Sequence, residues 1–385
     1  METPLQFNLP SITITFLLLF SSINLSSSTK QCNPNDKNAL LEIKHYFNNA
    51  SVFSIWDPTT DCCTWRGIEC DAHGRVNSLS VSIDDGVVGT IPPALAQLPY
   101  LQFLSFSSFP QLTGPIPPFL TKLTNLQHLD FAGNNLTGTI PDFLTQIKNL
   151  EYLDLSSNSL SGRIPLSLGK LQKLKLIALY NNHLYGIIPN FFGYMTNLRE
   201  LYLNGNKLTG KIPSSLYLLP QLFSIDFSQN QLTGSIPESF GSFKTPLIDS
   251  ISLSFNKLSG SIPRSFGNVN VKTLRIDHNM FSGDASFLFS KEKTSLNSID
   301  IDNNLLNFDF SGVDFAISLK NFDISHNNIY GSLPKQIGQL ALQSLDVSYN
   351  QLCGEIPTGR RLKQFDPAVF SNNKCLCGTP LPPCK

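Results

Sequence analysis

Leu150-Glu-Tyr-Leu-Asp-Leu-Ser-Ser-Asn-Ser-Leu-Ser-Gly-Arg-Ile-Pro165 decides the architecture, because the chain keeps returning to it. Leu198-Arg-Glu-Leu-Tyr-Leu-Asn-Gly-Asn-Lys-Leu-Thr-Gly-Lys-Ile-Pro213 and Leu222-Phe-Ser-Ile-Asp-Phe-Ser-Gln-Asn-Gln-Leu-Thr-Gly-Ser-Ile-Pro237 follow the same pattern. Its asparagine recurs at Asn134, Asn158, Asn182, Asn206, Asn230, Asn256, Asn279, Asn304, Asn327 and Asn350, at intervals of 24, 24, 24, 24, 26, 23, 25, 23 and 23 residues. Two looser copies, around Leu79–Pro92 and Leu101–Pro117, bring the total to about twelve. A fixed period of this size marks stacked structural units, each too small to bury its own apolar face.

Every position has a physical task. The alternation Leu-x-Leu sends two side chains inward from a short strand and leaves the residues between them facing out. Asparagine follows where the chain leaves the sheet, and its amide can both donate to and accept from turn backbone that would otherwise be buried unpaired. Glycine then allows a tight turn, and proline fixes φ near −65° for the return segment. Burying each Leu or Ile contributes about 1.5–3 kcal/mol, so one repeat cannot stand alone and twelve can. The expected fold is an α/β solenoid: a right-handed leucine-rich repeat superhelix with a parallel concave β-sheet and disulfide-stapled caps at both ends.

The remaining composition fits that shape. The 385 residues are 41% hydrophobic and 15% charged, with 28 Lys plus Arg balancing 28 Asp plus Glu. No polybasic block is present, which argues against nucleic acid as a partner. Ile12-Thr-Ile-Thr-Phe-Leu-Leu-Leu-Phe20, ending in Ser26-Ser27-Ser28, reads as a secretory signal over residues 1–28, too short an apolar run for a bilayer span. No membrane span is expected later in the chain. Residues 29–75 then form a cysteine-rich N-terminal cap, 76–357 the repeats and 358–385 a C-terminal cap. A helix is expected from Pro34 to about Phe47, capped by Asn33, with Trp56 and Trp65 sealing the end of the core.

The eight cysteines split into Cys32, Cys62, Cys63, Cys70 and Cys353, Cys375, Cys377, Cys384. Twelve strands about 4.8 Å apart separate the two groups by about 50 Å, so pairing stays within each group. Adjacent Cys62 and Cys63 are poor partners, which leaves two N-terminal connectivities. The reading taken is Cys32–Cys62 with Cys63–Cys70, and Cys353–Cys375 with Cys377–Cys384. An even count in a secreted chain favours disulfides over a metal site at Cys375-Leu-Cys377. No metal or cofactor is expected.

Aligning the repeats against one another locates a candidate site. The residue between the two inward strand positions is usually aspartate, read here as hydrating the concave face; it is replaced at Ala178, Tyr202, Ser252 and Arg275. Around the first break lie Tyr152, Lys175, Tyr180, Arg199, Tyr202 and Phe223; around the second lie Phe255, Lys272, Arg275 and His278. Exposed aromatics mixed with arginine are the usual composition of a protein-binding hot spot. Lys175 with Arg199 could instead meet the carboxylates of a polyanion. Asp302 with Asp323, and His278 with His326, form no catalytic constellation, so the protein is not expected to be an enzyme. Asn49-Ala-Ser51 and Asn135-Leu-Thr137 are sequons for N-glycosylation, and a glycan at Asn135 is expected to narrow one edge of the concave sheet.

Several motifs carry a family resemblance. Cys32-Asn-Pro-Asn-Asp-Lys-Asn-Ala-Leu-Leu-Glu-Ile-Lys, Trp56 and Asp61-Cys-Cys-Thr-Trp-Arg-Gly-Ile-Glu-Cys70 resemble the plant extracellular leucine-rich repeat cap. Asn372-Asn-Lys-Cys-Leu-Cys-Gly-Thr-Pro-Leu-Pro-Pro-Cys-Lys385 resembles the C-terminal cap of polygalacturonase-inhibiting proteins, and Phe281-Ser-Gly-Asp-Ala-Ser-Phe-Leu-Phe289 a late repeat of that family. The resemblance implies a monomer in the apoplast or cell wall that inhibits fungal or insect endopolygalacturonases. The same branch holds developmental recognition modules, which bind peptides or receptor kinase ectodomains, and antifreeze-type relatives. Relative to the usual ten repeats, about twelve imply two extra.

Overall fold

The computed structural model describes residues 31–84, 86–359 and 361–385. The segment read as a signal, 1–28, lies outside the described residues. Among them, thirteen strands form one continuous sheet. Ile68–Cys70 pairs antiparallel with Val76–Ser82, and every later neighbour is parallel: Phe103–Ser107, His128–Asp130, Tyr152–Asp154, Leu176–Ala178, Glu200–Tyr202, Ser224–Asp226, Ile248–Ser252, Val271–Arg275, Ser298–Asp300, Asn321–Asp323 and Ser344–Asp346. Twelve parallel strands correspond to the twelve repeats. Registers are strict, so Tyr152, Leu176, Glu200 and Ser224 form one column and Asp154, Ala178, Tyr202 and Asp226 another.

A second sheet backs the first. Ser161–Gly162, His183–Ile187, Lys207–Gly210, Gln231–Gly234, Lys257–Ser261, Met280–Gly283 and Leu305–Leu306 stack in order. They are built from the Leu-x-Gly motif, which the repeat pattern alone marked only as a return turn. Leu160, Leu184, Leu208 and Leu232 are fully buried, and the residues flanking each of them face outward. Glycine is required here: at Gly162 φ is +90°, and a Cβ would lie 2.8 Å from Thr139 Cγ2. The return segments are single 3-10 turns starting directly after proline, as in Leu166–Lys170 and Ser214–Leu218. A period of 24 residues leaves no room for longer helices, so the one α-helix among the described residues belongs to the cap.

That helix, α1 (Pro34–Tyr46), has Asn33 as its N-cap, accepting from the Asn35 N–H at 3.0 Å. Its Ala39, Leu40 and Ile43 are buried against the first repeat. Trp56 and Trp65 are buried beside it and stack with ring centroids 5.5 Å apart. Asp36, also buried, accepts from Arg75 at 2.7 and 2.9 Å and from the Val76 N–H at 2.9 Å, tying the cap to the first parallel strand. Disulfides join Cys32 to Cys62, Cys63 to Cys70, Cys353 to Cys375 and Cys377 to Cys384. All four cap cysteines at the N-terminus are consumed this way, and so are both residues of the 375–377 pair.

Candidate functional site: the concave sheet

The aspartate column is a structural device as well as a surface. Asp154 Oδ1 accepts from the Ser156 N–H at 2.9 Å, and Asp226, Asp323 and Asp346 each accept at 2.8 Å from the N–H two residues on. Each carboxylate thus closes the turn that leaves its strand, an Asx turn. These side chains face solvent only in part. They are half-buried between neighbouring strands, and that burial pushes Asp154 up to about 6 and Asp323 to about 7. Burial first, then the nearby carboxylates of Asp277, Asp302 and Asp323, pushes Asp300 to about 9.

Where the column breaks, a turn closure is given up for something else. Ala178, Tyr202, Ser252 and Arg275 occupy the column on the strands Leu176–Ala178, Glu200–Tyr202, Ile248–Ser252 and Val271–Arg275, with Asp226 retained between them. Tyr202 is half-buried, its hydroxyl donating to Glu200 at 2.7 Å. Burial raises its phenol pKa, so it stays neutral at any physiological pH.

Lys175, Arg199, Phe223, Asp249 and Lys272 line the strand entrances; from Arg199 to Asp249 each N–H donates to the carbonyl of the residue before it in this row. Arg199 is exposed and Phe223 is 47% exposed, and both border a shallow groove with Pro220, Gln221, Thr245 and Pro246. Its far wall, Thr245–Leu247, lies in the 26-residue interval between Asn230 and Asn256. Tyr180 lies one turn beyond Ala178 and is half-buried on the same side. The first cluster is therefore continuous with Lys272 and Arg275 of the second.

Two parts of that prediction change in detail. Lys175 is held by Glu151 at 2.5 Å, which raises its pKa, and Lys272 by Asp249 at 2.9 Å. With their charges answered, they offer little free positive potential to a polyanion. Phe255 and His278 leave the strand plane. They occupy the position before the ladder asparagine, at φ +53° and +49°, and their rings stack 4.0 Å apart. A bulky residue in the left-handed region is uncommon. Here the column is left-handed in repeat after repeat, including Ser157, Asn181 and Gln229. His278 also approaches Asp277 at 3.2 Å and Asp302 at 3.6 Å.

Reading one column at a time missed a second feature. Phe103, His128 and Tyr152 share a register and stack across three strands, with ring centroids 4.1 and 5.4 Å apart. Burial lowers the His128 pKa, favouring the neutral imidazole within that stack. His326 and Tyr349, before the ladder asparagines Asn327 and Asn350, pair instead in the manner of Phe255 and His278, at 4.2 Å. The signal for the three-strand stack was present two positions before Ser105, Asp130 and Asp154, where aromatic rings recur in consecutive repeats. Asn49 is exposed just past α1. Asn135 is also exposed, but on Asn135–Leu136, a strand pairing with Thr113–Gly114 on the second sheet system. A glycan there would project from that side and not narrow the concave sheet.

The chain matches the leucine rich repeat N-terminal domain over residues 33–71 and leucine rich repeat models over 125–147, 149–171, 172–232, 248–269, 318–340 and 341–359. It is 48% identical over 389 residues to polygalacturonase inhibitor 2 of Phaseolus vulgaris, covering 98% of this chain and 99% of that protein. It is 45% identical over 373 residues to the polygalacturonase inhibitor of Pyrus communis, covering 97% and 98%. The leucine-rich repeat protein FLOR 1 of Arabidopsis thaliana is 44% identical, covering 97% and 98%. Among solved structures, a plant ice-binding protein matches at TM-score 0.60 and 37% identity, covering 92% of this chain and 99% of that one.

Proposed function

We propose, from the premise that the chain belongs to the polygalacturonase-inhibitor family of leucine-rich repeat proteins, that it is a secreted cell-wall protein which inhibits a microbial endopolygalacturonase by gripping it on the concave sheet. One observation carries the location: on two pairs of adjacent strands either side of Asp226 the aspartate turn closures are abandoned, for Ala178 and Tyr202 and for Ser252 and Arg275, beside Arg199 and Phe223. An aromatic on a rigid sheet loses little conformational entropy on binding, and an arginine beside it supplies several hydrogen-bond donors, which together favour affinity. The action is binding and not chemistry, with the protein a monomer that blocks its target. Four disulfides suit an oxidising extracellular compartment, and no helix among the described residues is long and apolar enough to cross a membrane.

The test is a titration of the secreted chain into fungal endopolygalacturonases while reducing ends released from polygalacturonate are followed. Saturable slowing of at least one enzyme is expected, and insect enzymes extend the panel. No slowing across the panel rejects inhibition and leaves recognition of a peptide or receptor ectodomain as the activity to pursue. Retention on immobilised pectin that survives loss of Arg199 would show that any polymer contact lies elsewhere.

A further inference from the structure

We propose that Asp277, His278 and Asp302 form a binding site for a divalent cation of the zinc class, on the exit side of the concave sheet. The inference does not rest on the inhibitor reading. His278 Nδ1 lies 3.2 Å from Asp277 Oδ2 and 3.6 Å from Asp302 Oδ1, and the three donor atoms all fall within 4.8 Å of one another. Metal–ligand bonds of about 2.0–2.2 Å in tetrahedral array space neighbouring donors about 3.3–3.6 Å apart. The two histidine–carboxylate separations match that edge length, and the two carboxylates lie within 4.8 Å of each other. One imidazole nitrogen with two carboxylate oxygens is a donor set for zinc or its first-row neighbours, whereas calcium and magnesium prefer oxygen alone.

The donors are held in place by neighbours, two of which bond to the carboxylate oxygens turned away from the histidine. Ser254 Oγ donates to Asp277 Oδ1, the oxygen not facing the histidine. Asn303 Nδ2 donates to Asp302 Oδ2, again the remote oxygen. The backbone N–H of His278 donates to the Asp302 carbonyl at 3.0 Å, fixing the two repeats against each other. Stacking on Phe255 at 4.0 Å sets the plane of the imidazole. Outer contacts that orient ligands in this way are the usual companions of a metal site.

Charge supplies the second line of argument. The side chains of Asp277 and Asp302 are only 8% and 14% exposed. Among the described residues no Lys or Arg makes a salt bridge to either: Lys272 is engaged by Asp249, and Arg275 stands beside Asp300 in register with its charge also acting on Asp226. Two buried carboxylates facing one imidazole are an under-compensated cluster, and a bound dication would neutralise it. The competing arrangement is a plain histidine–aspartate ion pair with no metal, and the experiment separates the two.

Zn2+ is titrated calorimetrically into the secreted chain, with Ca2+ and Mg2+ in parallel. One saturable zinc site is expected, with the other two ions weaker, and the imidazole nitrogen resonance of His278 should shift in step with occupancy in the unaltered protein. His278→Gln and Asp302→Asn should each weaken binding by more than about tenfold. His326→Gln, at the equivalent position of a repeat without the two-carboxylate arrangement, should leave binding unchanged. Thermal melting without metal shows whether the variants are folded; with zinc, only the unaltered protein and His326→Gln should gain stability. Absence of a zinc site, an unmoved His278 resonance, or equal affinity in His278→Gln and Asp302→Asn overturns the assignment.

Discussion

Asp154 and Asn158 stand four residues apart in one repeat and answer different demands of the same turn. Asp154 closes it from the solvent side, whereas Asn158 is buried, accepting from the Leu136 N–H at 2.9 Å and donating to the carbonyls of Phe131 and Ser156 at 2.8 and 3.0 Å. The asparagine bonds run from each repeat to the one before, so the ladder from Asn134 to Asn373 is a continuous spine. Asn206→Ala would leave the Leu184 N–H without a partner in the core, while the Leu179 carbonyl would lose the shorter of its two amide donors and keep Asn182. An orphaned buried N–H costs about 1–3 kcal/mol, and a loss of that size is expected from urea unfolding. Tyr202→Asp is the contrasting case. The carboxylate would adopt the ordinary state of its column, so melting should change little. Affinity for a sensitive endopolygalacturonase should fall by about 2 kcal/mol or more, read from the inhibition titration. Equal losses of stability and inhibition would make Tyr202 a packing residue.

At the scale of the strand, register turns single residues into columns, and columns set the electrostatics. Asp300, Asp323 and Asp346 are direct neighbours, and no intervening strand separates their charges. Burial holds Asp154 near 6 and Asp323 near 7, above the ordinary 3.8. An acid with a raised folded pKa keeps its proton longer in the native state. Its contribution is therefore complete below pH 3.8 and is lost as pH climbs through 6 or 7. The double variant Asp154→Asn, Asp323→Asn should match the parent at pH 4 and exceed it at pH 7, by about 1–3 kcal/mol per site, in urea midpoints at the two pH values. His128, held below its usual pKa, works in the opposite sense, and its share cancels in the comparison because both proteins contain it. A parent that does not lose ground to the variant as pH rises would contradict the burial argument.

These columns also mark the limit of what the sequence discloses. The inward Leu-x-Leu pattern and the asparagine period are local, so the fold and the face were legible. The Phe103–His128–Tyr152 stack was not, because the relevant neighbours are 24 and 25 residues apart and meet only once the register is known. The turn-closing role of aspartate was hidden for the opposite reason: its partner is two residues away, and an outward position looks like mere solvation.

Across the whole molecule, contacts run almost entirely between neighbouring repeats, so stability is a sum along a line and its ends are vulnerable. At the N-terminal end one buried pair ties the cap to the first parallel strand. Asp36 is 1% exposed and Arg75 21%, and Asp36 also accepts from the first parallel strand through the Val76 N–H. Removing one partner of a buried pair leaves the other charged and unanswered, a loss of about 3–5 kcal/mol. Asp36→Ala should therefore loosen α1 from Val76–Ser82 and expose the Leu79 and Leu104 layers behind it. The damage should be graded along the chain. Hydrogen exchange is expected to quicken most in Val76–Ser82 and Phe103–Ser107, less in Tyr152–Asp154, and not measurably in Ser344–Asp346, whose own cap is stapled by Cys353–Cys375 and Cys377–Cys384. Uniform acceleration across all twelve strands would mean that the solenoid opens as one cooperative unit. Inhibition should respond to the same gradient, since the strands carrying Tyr202 and Arg275 lie five and eight repeats beyond Val76–Ser82. A concave surface built on mid-solenoid strands is buffered from fraying by the repeats on either side, and Asp36→Ala should cost stability well before it costs grip.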